Sequence, residues 1–172
     1  MSEQQTTNPE YDLVITRTFN APRELVFKVW TDADHLKHWW GPTGFTIHVA
    51  QADIRPGGIF HYCMKAADGH EMWGKFVYHE IVSPERIVFV NSFSDEEGNI
   101  VRAPFSQTQT FPLEIYNVFT FTEEEGTTTI TLRGGPINAT EEEIQFFHSM
   151  HESMQQGFAG TFGQLDDYLA TL

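Results

Sequence analysis

The stretch HLKHWWGPTGFT, residues 35–46, marks the point where the sequence changes from a helical to a strand periodicity. On its N-terminal side, DADHLKHWW (32–40) predicts a short helix that ends at the Gly-Pro pair. On its C-terminal side, FTIHVAQADI (45–54) alternates with a period of two and predicts a strand. Adjacent residues diverge by about 100° on a helix, so we expect Trp39 and Trp40 to contact different parts of the molecule.

The segments on either side of this stretch predict a short helical pair followed by a run of strands. Upstream, YDLVITRTFN (11–20) predicts a strand and APRELVFKVW (21–30) predicts a helix. Downstream, five further segments alternate apolar and polar residues between turn-forming residues, and we expect strands at 59–65, 70–81, 86–93, 113–121 and 127–135. We assign the glycine pairs 57–58 and 134–135 to turns.

The C-terminal segment predicts a long helix. Thr140 and Glu143 form a capping-box pattern. Apolar or aromatic residues then recur at steps of three and four: Ile144, Phe147, His151, Met154, Phe158, Phe162, Leu165 and Leu169. This stripe predicts one continuous helix of roughly 30 residues, about 45 Å long.

Together these elements predict an α+β fold of the helix-grip type. Short connections favour antiparallel neighbours, which gives a curved sheet of about six to seven strands. Two short helices follow the first strand, and the long C-terminal helix covers one face of the sheet. A curved sheet wrapped around one helix leaves a space that can hold a ligand.

Composition and charge limit the partners that the chain can have. A formal net charge of −14 repels phosphate backbones, so we expect no nucleic-acid partner. No segment approaches the ~18 apolar residues of a membrane span, and no signal peptide is evident. We therefore expect a cytoplasmic protein without membrane insertion, with a flexible N-terminus (1–10) and one domain (11–172).

Six segments of the chain resemble the START-like, or SRPBCC, superfamily. The resemblance is closer to single-domain bacterial proteins that are similar to the C-terminal domain of the activator of heat-shock protein 90 ATPase. In chain order the segments are RTFNAPRELVFKVWTD, HLKHWWGP, DIRPGGIF, SPERIVF, TITLRGGP and GFAGTFGQLDDYL. The resemblance covers about residues 11–170 and implies a hydrophobic cavity between the sheet and the last helix. Relatives bind lipids, hormones, polyketides or other apolar molecules, and some polyketide cyclases of the superfamily are enzymes.

Polar residues on predicted apolar faces are the best candidates for contact with a ligand. Arg17 shares its strand face with Leu13 and Ile15, and Asn117 shares its face with Ile115. A buried charge or amide without a partner is costly, so each must pair with a protein group, meet water or meet a ligand. We expect the cavity to be lined by Arg17, Trp40, Phe60, Tyr62, Phe89, Asn117, Phe119, His151, Met154 and Phe158.

The remaining titratable residues do not form a recognisable catalytic or metal centre. His35 and His38 are three residues apart, as are His148 and His151, but zinc needs three or four convergent ligands. Cys63, the single cysteine, has the parity of the outer strand face. We therefore predict no metal and no cofactor, and we identify no set of catalytic residues.

Three functions fit the sequence. The one that we favour is the binding of a small hydrophobic or amphipathic molecule, such as a lipid. The second is a polyketide-cyclase-like enzyme with His151 as the base. The third is a chaperone-associated interaction module, by analogy with the activator. Aromatic residues expected at the surface are also compatible with a homodimer.

Overall fold

The computed structural model describes residues 12–41, 44–103 and 111–172, and the prediction for residues 1–10 lies outside these ranges. The strands are β1 Leu13–Phe19, β2 Phe45–Ala52, β3 Ile59–Ala66, β4 Glu71–Val82, β5 Arg86–Ser94, β6 Glu114–Glu124 and β7 Thr127–Ile137. The helices are α1 Arg23–Thr31, α2 Ala33–Trp39, α3 Glu141–Ser149 and α4 His151–Leu169.

Within the described ranges, the strands form a seven-stranded sheet in the order β1-β7-β6-β5-β4-β3-β2. Every neighbouring pair is antiparallel, and β1 pairs with β7 at one edge. The register shifts between Val49 and Gln51 in β2 and between Tyr78 and Glu80 in β4, and such bulges increase the bend and twist of a sheet. The predicted α+β class, the antiparallel curved sheet and the two helices after the first strand are confirmed.

The helix starts follow local capping chemistry. Asp32 begins α2 by accepting a hydrogen bond from the backbone N–H of Asp34 at 2.9 Å. Thr140 and Glu143 form the predicted capping box at the start of α3, with each side chain accepting from the other residue's backbone N–H.

The prediction of one continuous C-terminal helix is wrong, because the chain breaks into α3 and α4 at Met150. Met150 has φ −97° and ψ 3°, and its N–H bonds back three residues to the carbonyl of Phe147 at 3.0 Å. The Ser149 hydroxyl donates to the carbonyl of Phe146 at 2.6 Å, a local bond that competes with helix continuation. The break lets α3 pack on β7 while α4 packs on α2 and β1.

Among the described residues, buried side chains form two clusters on the face of the sheet that the helices cover. The larger one lies beneath α1, α2 and the C-terminal half of α4, and it contains Trp30, Trp39 and Phe162. The smaller one joins Leu13, Ile115 and Phe147 near α3. The candidate site lies beside the smaller cluster.

Candidate functional site

A cavity of about 330 Å³ lies between the sheet and the helices α3 and α4. Its walls come from β1, from the inner faces of β3 to β7, from residues 111–113 and from the facing sides of α3 and α4. The described lining residues include no Asp, Glu, Lys, Arg or His. The wall is therefore apolar with a few neutral polar groups, as in many pockets for small molecules.

Five of the residues predicted for the cavity wall line this cavity. They are Trp40, Tyr62, Asn117, Met154 and Phe158. They come from the end of α2, from β3, from β6 and from α4, so elements distant in sequence converge on one space.

Phe60, Phe89 and Phe119 were predicted in the cavity wall but lie in the solid core instead, each at most 2 % exposed. Phe89 stacks on Phe76 with ring centroids 4.2 Å apart, and Phe119 packs against Trp30 at 4.6 Å. The helix pair α1–α2 covers this end of the sheet, so its large side chains fill the space that these phenylalanines face.

Arg17 was also predicted in the cavity wall, but the structure places it elsewhere. Its Nη2 donates to Oδ2 of Asp166 at 2.8 Å, and the guanidinium lies 5.7 Å from the centre of the Phe19 ring. The side chain is about one-third exposed, at 32 %. Arg17 therefore links β1 to α4 through an ion pair and does not line the cavity.

His151 does not line the cavity either, although the apolar stripe predicted it there. Its ring packs edge-on against Phe147, with centroids 5.4 Å apart, and lies 4.8 Å from the ring of His148. The turn between α3 and α4 puts Met150 in the cavity wall instead.

The two adjacent tryptophans have different surroundings. Trp39 is buried, packs against Trp30 at 4.6 Å and donates its indole N–H to the carbonyl of Val29 at 3.2 Å. Trp40 lines the cavity and lies edge-on to Phe76 at 5.1 Å and to Tyr62 at 6.4 Å. Trp39 therefore holds the helix pair together, and Trp40 forms part of the cavity wall.

The end of α2 is attached to α4 by side chains that sequence reasoning missed. Nε2 of Gln164 donates to the carbonyls of Gly41 and Trp39 at 2.7 and 3.1 Å. The Thr161 hydroxyl donates to the same Gly41 carbonyl at 3.1 Å. These bonds fix Trp40 relative to α4 at one side of the cavity.

Two glycines within strands make room for the polar groups of the wall. Gly74 in β4 lies opposite Tyr62, and a Cβ at this position would approach the Tyr62 hydroxyl to 2.8 Å. Gly134 in β7 lies opposite Asn117, and a Cβ there would approach Oδ1 of Asn117 to 2.7 Å. The assignment of residues 134–135 to a turn is wrong, because both lie in β7. A glycine inside a strand pattern is the signal that could have found both positions.

The Asn117 side chain has a defined orientation. Its Nδ2 donates to Oδ1 of Asn91 at 2.7 Å and to the carbonyl of Ile115 at 3.1 Å, so both amide hydrogens are used. Because the Ile115 carbonyl can only accept, Nδ2 must face it. Oδ1 consequently points the other way, toward Gly134.

Tyr62 is a hydrogen-bond donor at neutral pH and not a base. Burial raises the pKa of its hydroxyl to about 12, an effect that the nearby Trp40 indole N–H partly opposes. The phenol therefore stays protonated across the physiological range.

An ion pair lies next to Phe111, which lines the cavity. The Arg102 guanidinium bonds the carboxylate of Glu143 and the carbonyl of Phe111. Burial opposes ionisation of Glu143, but its hydrogen bonds with Arg102 and Thr140 outweigh burial and lower the pKa of the carboxyl. The start of α3 is thereby tied to the segment that forms this part of the wall.

The structure brings no metal-binding group together in its described ranges, where no three His, Cys, Asp or Glu side chains are placed to share an ion. Cys63 is buried beside His48 and Trp73 on neighbouring strands, away from the cavity wall. Burial, followed by the charge of Glu71, raises the pKa of its thiol and so disfavours the reactive thiolate.

Comparison with known proteins gives a family match and several structural neighbours. The family model described as "Activator of Hsp90 ATPase homolog 1-like protein" matches residues 20–170. No curated protein matches the chain.

Three solved structures illustrate the shared fold. Protein Ms6760 from Mycobacterium smegmatis is 24% identical, with a TM-score of 0.74 over 98% of both chains. A protein from Arthrobacter aurescens is 23% identical, with a TM-score of 0.77 over 98% of this chain and 92% of the other. The AHSA1 protein from Silicibacter pomeroyi is 20% identical, with a TM-score of 0.66 over 93% of this chain and 98% of the other.

No helix among the described residues has the length and apolar character needed to cross a membrane.

Proposed function

The chain belongs to the family of proteins that resemble activator of Hsp90 ATPase homologue 1, and on that premise we propose that it binds a small hydrophobic or amphipathic molecule in the cavity beneath α3 and α4. The membership confirms the resemblance inferred from the six sequence segments. It supports the binding proposal only by analogy, because one fold serves many functions.

The observation that carries the proposal is the cavity itself. Its volume of about 330 Å³ and its mostly apolar wall fall within the range of pockets that hold small molecules. Each 100 Å² of apolar ligand surface moved from water into this space would contribute about 2.5 kcal/mol. Affinity driven in this way depends weakly on salt.

Binding fits the described wall better than proton-transfer catalysis does. The cyclase hypothesis assigned the role of base to His151, which packs against Phe147 and His148 outside the wall. The titratable side chain in the described wall is Tyr62, and its raised pKa keeps it protonated. A general base needs a pKa near the working pH.

Filling the cavity tests the proposal. Gly157 lines the cavity and has open space where a Cβ would stand. Gly163, which lies nearer the C-terminus of α4, also has open space where a Cβ would stand, but it does not line the cavity. Gly157→Leu and Gly163→Leu therefore form a matched pair, since each removes a helical glycine that costs ~1 kcal/mol against a good helix former.

The measurement is calorimetric titration with naphthalene. We expect the native protein and Gly163→Leu to bind it and Gly157→Leu to lose at least about tenfold in affinity, since Leu occupies the site. Absence of binding to the native protein would contradict the proposal, as would equal affinity in all three proteins.

The chaperone-partner and homodimer hypotheses stay predictions. Adding the purified protein to an Hsp90 ATPase assay tests the first, and sedimentation of the protein over a range of concentrations tests the second.

A further inference from the structure

The cavity wall also constrains the chemistry of the ligand. Resting on the binding function proposed above, we infer that the ligand is an uncharged molecule about the size of two fused aromatic rings, which donates a hydrogen bond to Oδ1 of Asn117.

The size follows from the volume and shape of the cavity. Its volume of about 330 Å³ is roughly twice the ~150 Å³ of an apolar cavity that holds benzene. Aromatic rings form much of the wall, including Trp40, Phe147 and Phe158. Flat ring systems pack well against such faces.

The absence of charge follows from the wall and its surroundings. No described lining residue is Asp, Glu, Lys, Arg or His. The neighbouring charges Arg102 and Glu143 bond to each other. Glu152 already stands in the first turn of α4, where an anionic ligand would otherwise gain from the helix dipole. An ionised ligand would thus lack a countercharge, which makes its burial costly.

The hydrogen-bonding requirement follows from the Asn117 amide. Asn117 is 5 % exposed, and its two amide hydrogens are used by Asn91 and by the carbonyl of Ile115. Oδ1 accepts no hydrogen bond from the described residues, and the missing side chain at Gly134 leaves it uncovered. Both Asn117 and Gly134 line the cavity. Oδ1 is therefore an acceptor that faces the cavity, and a ligand hydroxyl or N–H that donates to it gains affinity.

The Tyr62 hydroxyl is a second polar group of the wall with which the Asn117 acceptor can be compared. Tyr62 lies on β3 and Asn117 on β6, three strand spacings apart, which is about 14 Å along the sheet. A single small polar group on the ligand therefore cannot bond to both. Tyr62→Phe removes a polar group from the wall without changing the acceptor at Asn117.

Titration of naphthalene and three of its derivatives into the native protein tests the size, the charge and the hydrogen bond of this inference separately. We expect 2-naphthol to bind about tenfold more tightly than naphthalene, because its hydroxyl donates to Asn117. We expect 2-methoxynaphthalene, which has no hydrogen to donate to Asn117, to bind less tightly than 2-naphthol. We expect 2-naphthoate to bind at least about tenfold more weakly than naphthalene, because its charge is unpaired.

Two variants test whether the advantage of 2-naphthol over naphthalene depends on Asn117. Asn117→Leu should abolish the advantage of 2-naphthol, measured as the ratio of its affinity to that of naphthalene in the same variant. Tyr62→Phe should keep that advantage. If Asn117→Leu does not fold, the four titrations into the native protein still decide the matter.

The outcomes distinguish this inference from the binding function on which it rests. If naphthalene binds, the inference is overturned and the binding function stands when the methoxy compound binds as tightly as 2-naphthol or when the carboxylate binds as tightly as naphthalene. A 2-naphthol advantage that survives in Asn117→Leu also overturns it. Failure of all four compounds to bind overturns both.

Discussion

The two ends of the covered sheet face are built from the same strands but packed differently. On β6, Phe119 and Phe121 lie in the solid core beneath α1 and α2, which we call the filled end. On the same face of the same strand, Ile115 and Asn117 line the cavity beneath α3 and α4, which we call the open end. What differs is the cover, because the tryptophans of α1 and α2 reach the sheet at the filled end.

The distribution of glycine residues adds to the difference in packing between the two ends. The open end has glycines at four described wall positions: Gly41 after α2, Gly74 and Gly134 in the sheet, and Gly157 in α4. The filled end instead carries a chain of ring contacts, such as Phe76 on Phe89 and Trp30 on Phe119. The filled end is therefore packed more densely than the open end.

Truncating one large aromatic residue at each end should give the largest contrast. Trp30 is 2 % exposed and contacts rings on every side, so Trp30→Ala should destabilise the protein by ~3–5 kcal/mol. Phe158 borders a space that is already open, so Phe158→Ala should cost only ~1–2 kcal/mol, because part of its surface lacks contacts to lose. Urea unfolding of both variants measures the difference, and equal costs would remove the distinction between the ends.

A methyl group at position 134, introduced by Gly134→Ala, should change the unfolding free energy by an intermediate amount. Its Cβ would stand 2.7 Å from Oδ1 of Asn117, and overpacking of this kind costs ~1–3 kcal/mol. In an Asn117→Ala background the clash is gone, so Gly134→Ala should then be nearly neutral. A double-mutant cycle from unfolding free energies measures the coupling, and additive effects would show that Gly134 does not make room for Asn117.

The smallest effect should come from Arg17, which lies outside both ends. Its ion pair with Asp166 is partly exposed, and such pairs contribute ~0–1 kcal/mol. Arg17→Met should therefore change the unfolding free energy by less than about 1 kcal/mol and leave the affinity for naphthalene unchanged. A loss of affinity for naphthalene in Arg17→Met would show that Arg17 contributes to the binding site.

Sequence patterns predicted which strand face is covered but not where along it the packing opens. The alternation of Phe60, Phe89 and Phe119 correctly indicates a covered face, yet these residues lie at the filled end. Whether these residues lie in the solid core or in the cavity wall depends on how far the α1–α2 pair extends over the sheet. That extent is a property of the tertiary structure, and no local sequence pattern predicts it. Asn117 was found because an amide on an apolar strand face needs a partner.

Other features were missed because a local interaction overrode the main pattern. The apolar stripe through residues 144–169 continues across the helix break, whereas the hydroxyl of Ser149 and the turn at Met150 end α3. The glycines at 74 and 134 carry no hydrophobic signal and were assigned to no site, although glycine within a strand often marks a close approach.

The methionine methyl groups provide the most direct test of an open end that binds an apolar molecule. Met64, Met150 and Met154 line the cavity, whereas Met72, which lies opposite Met64 on the neighbouring strand, does not line it. On titration of the methyl-labelled protein with naphthalene, we predict that the three wall methyl resonances shift together and saturate at one affinity while the Met72 resonance stays in place. Unchanged wall resonances, or a shift of Met72 as large as theirs, would contradict the account.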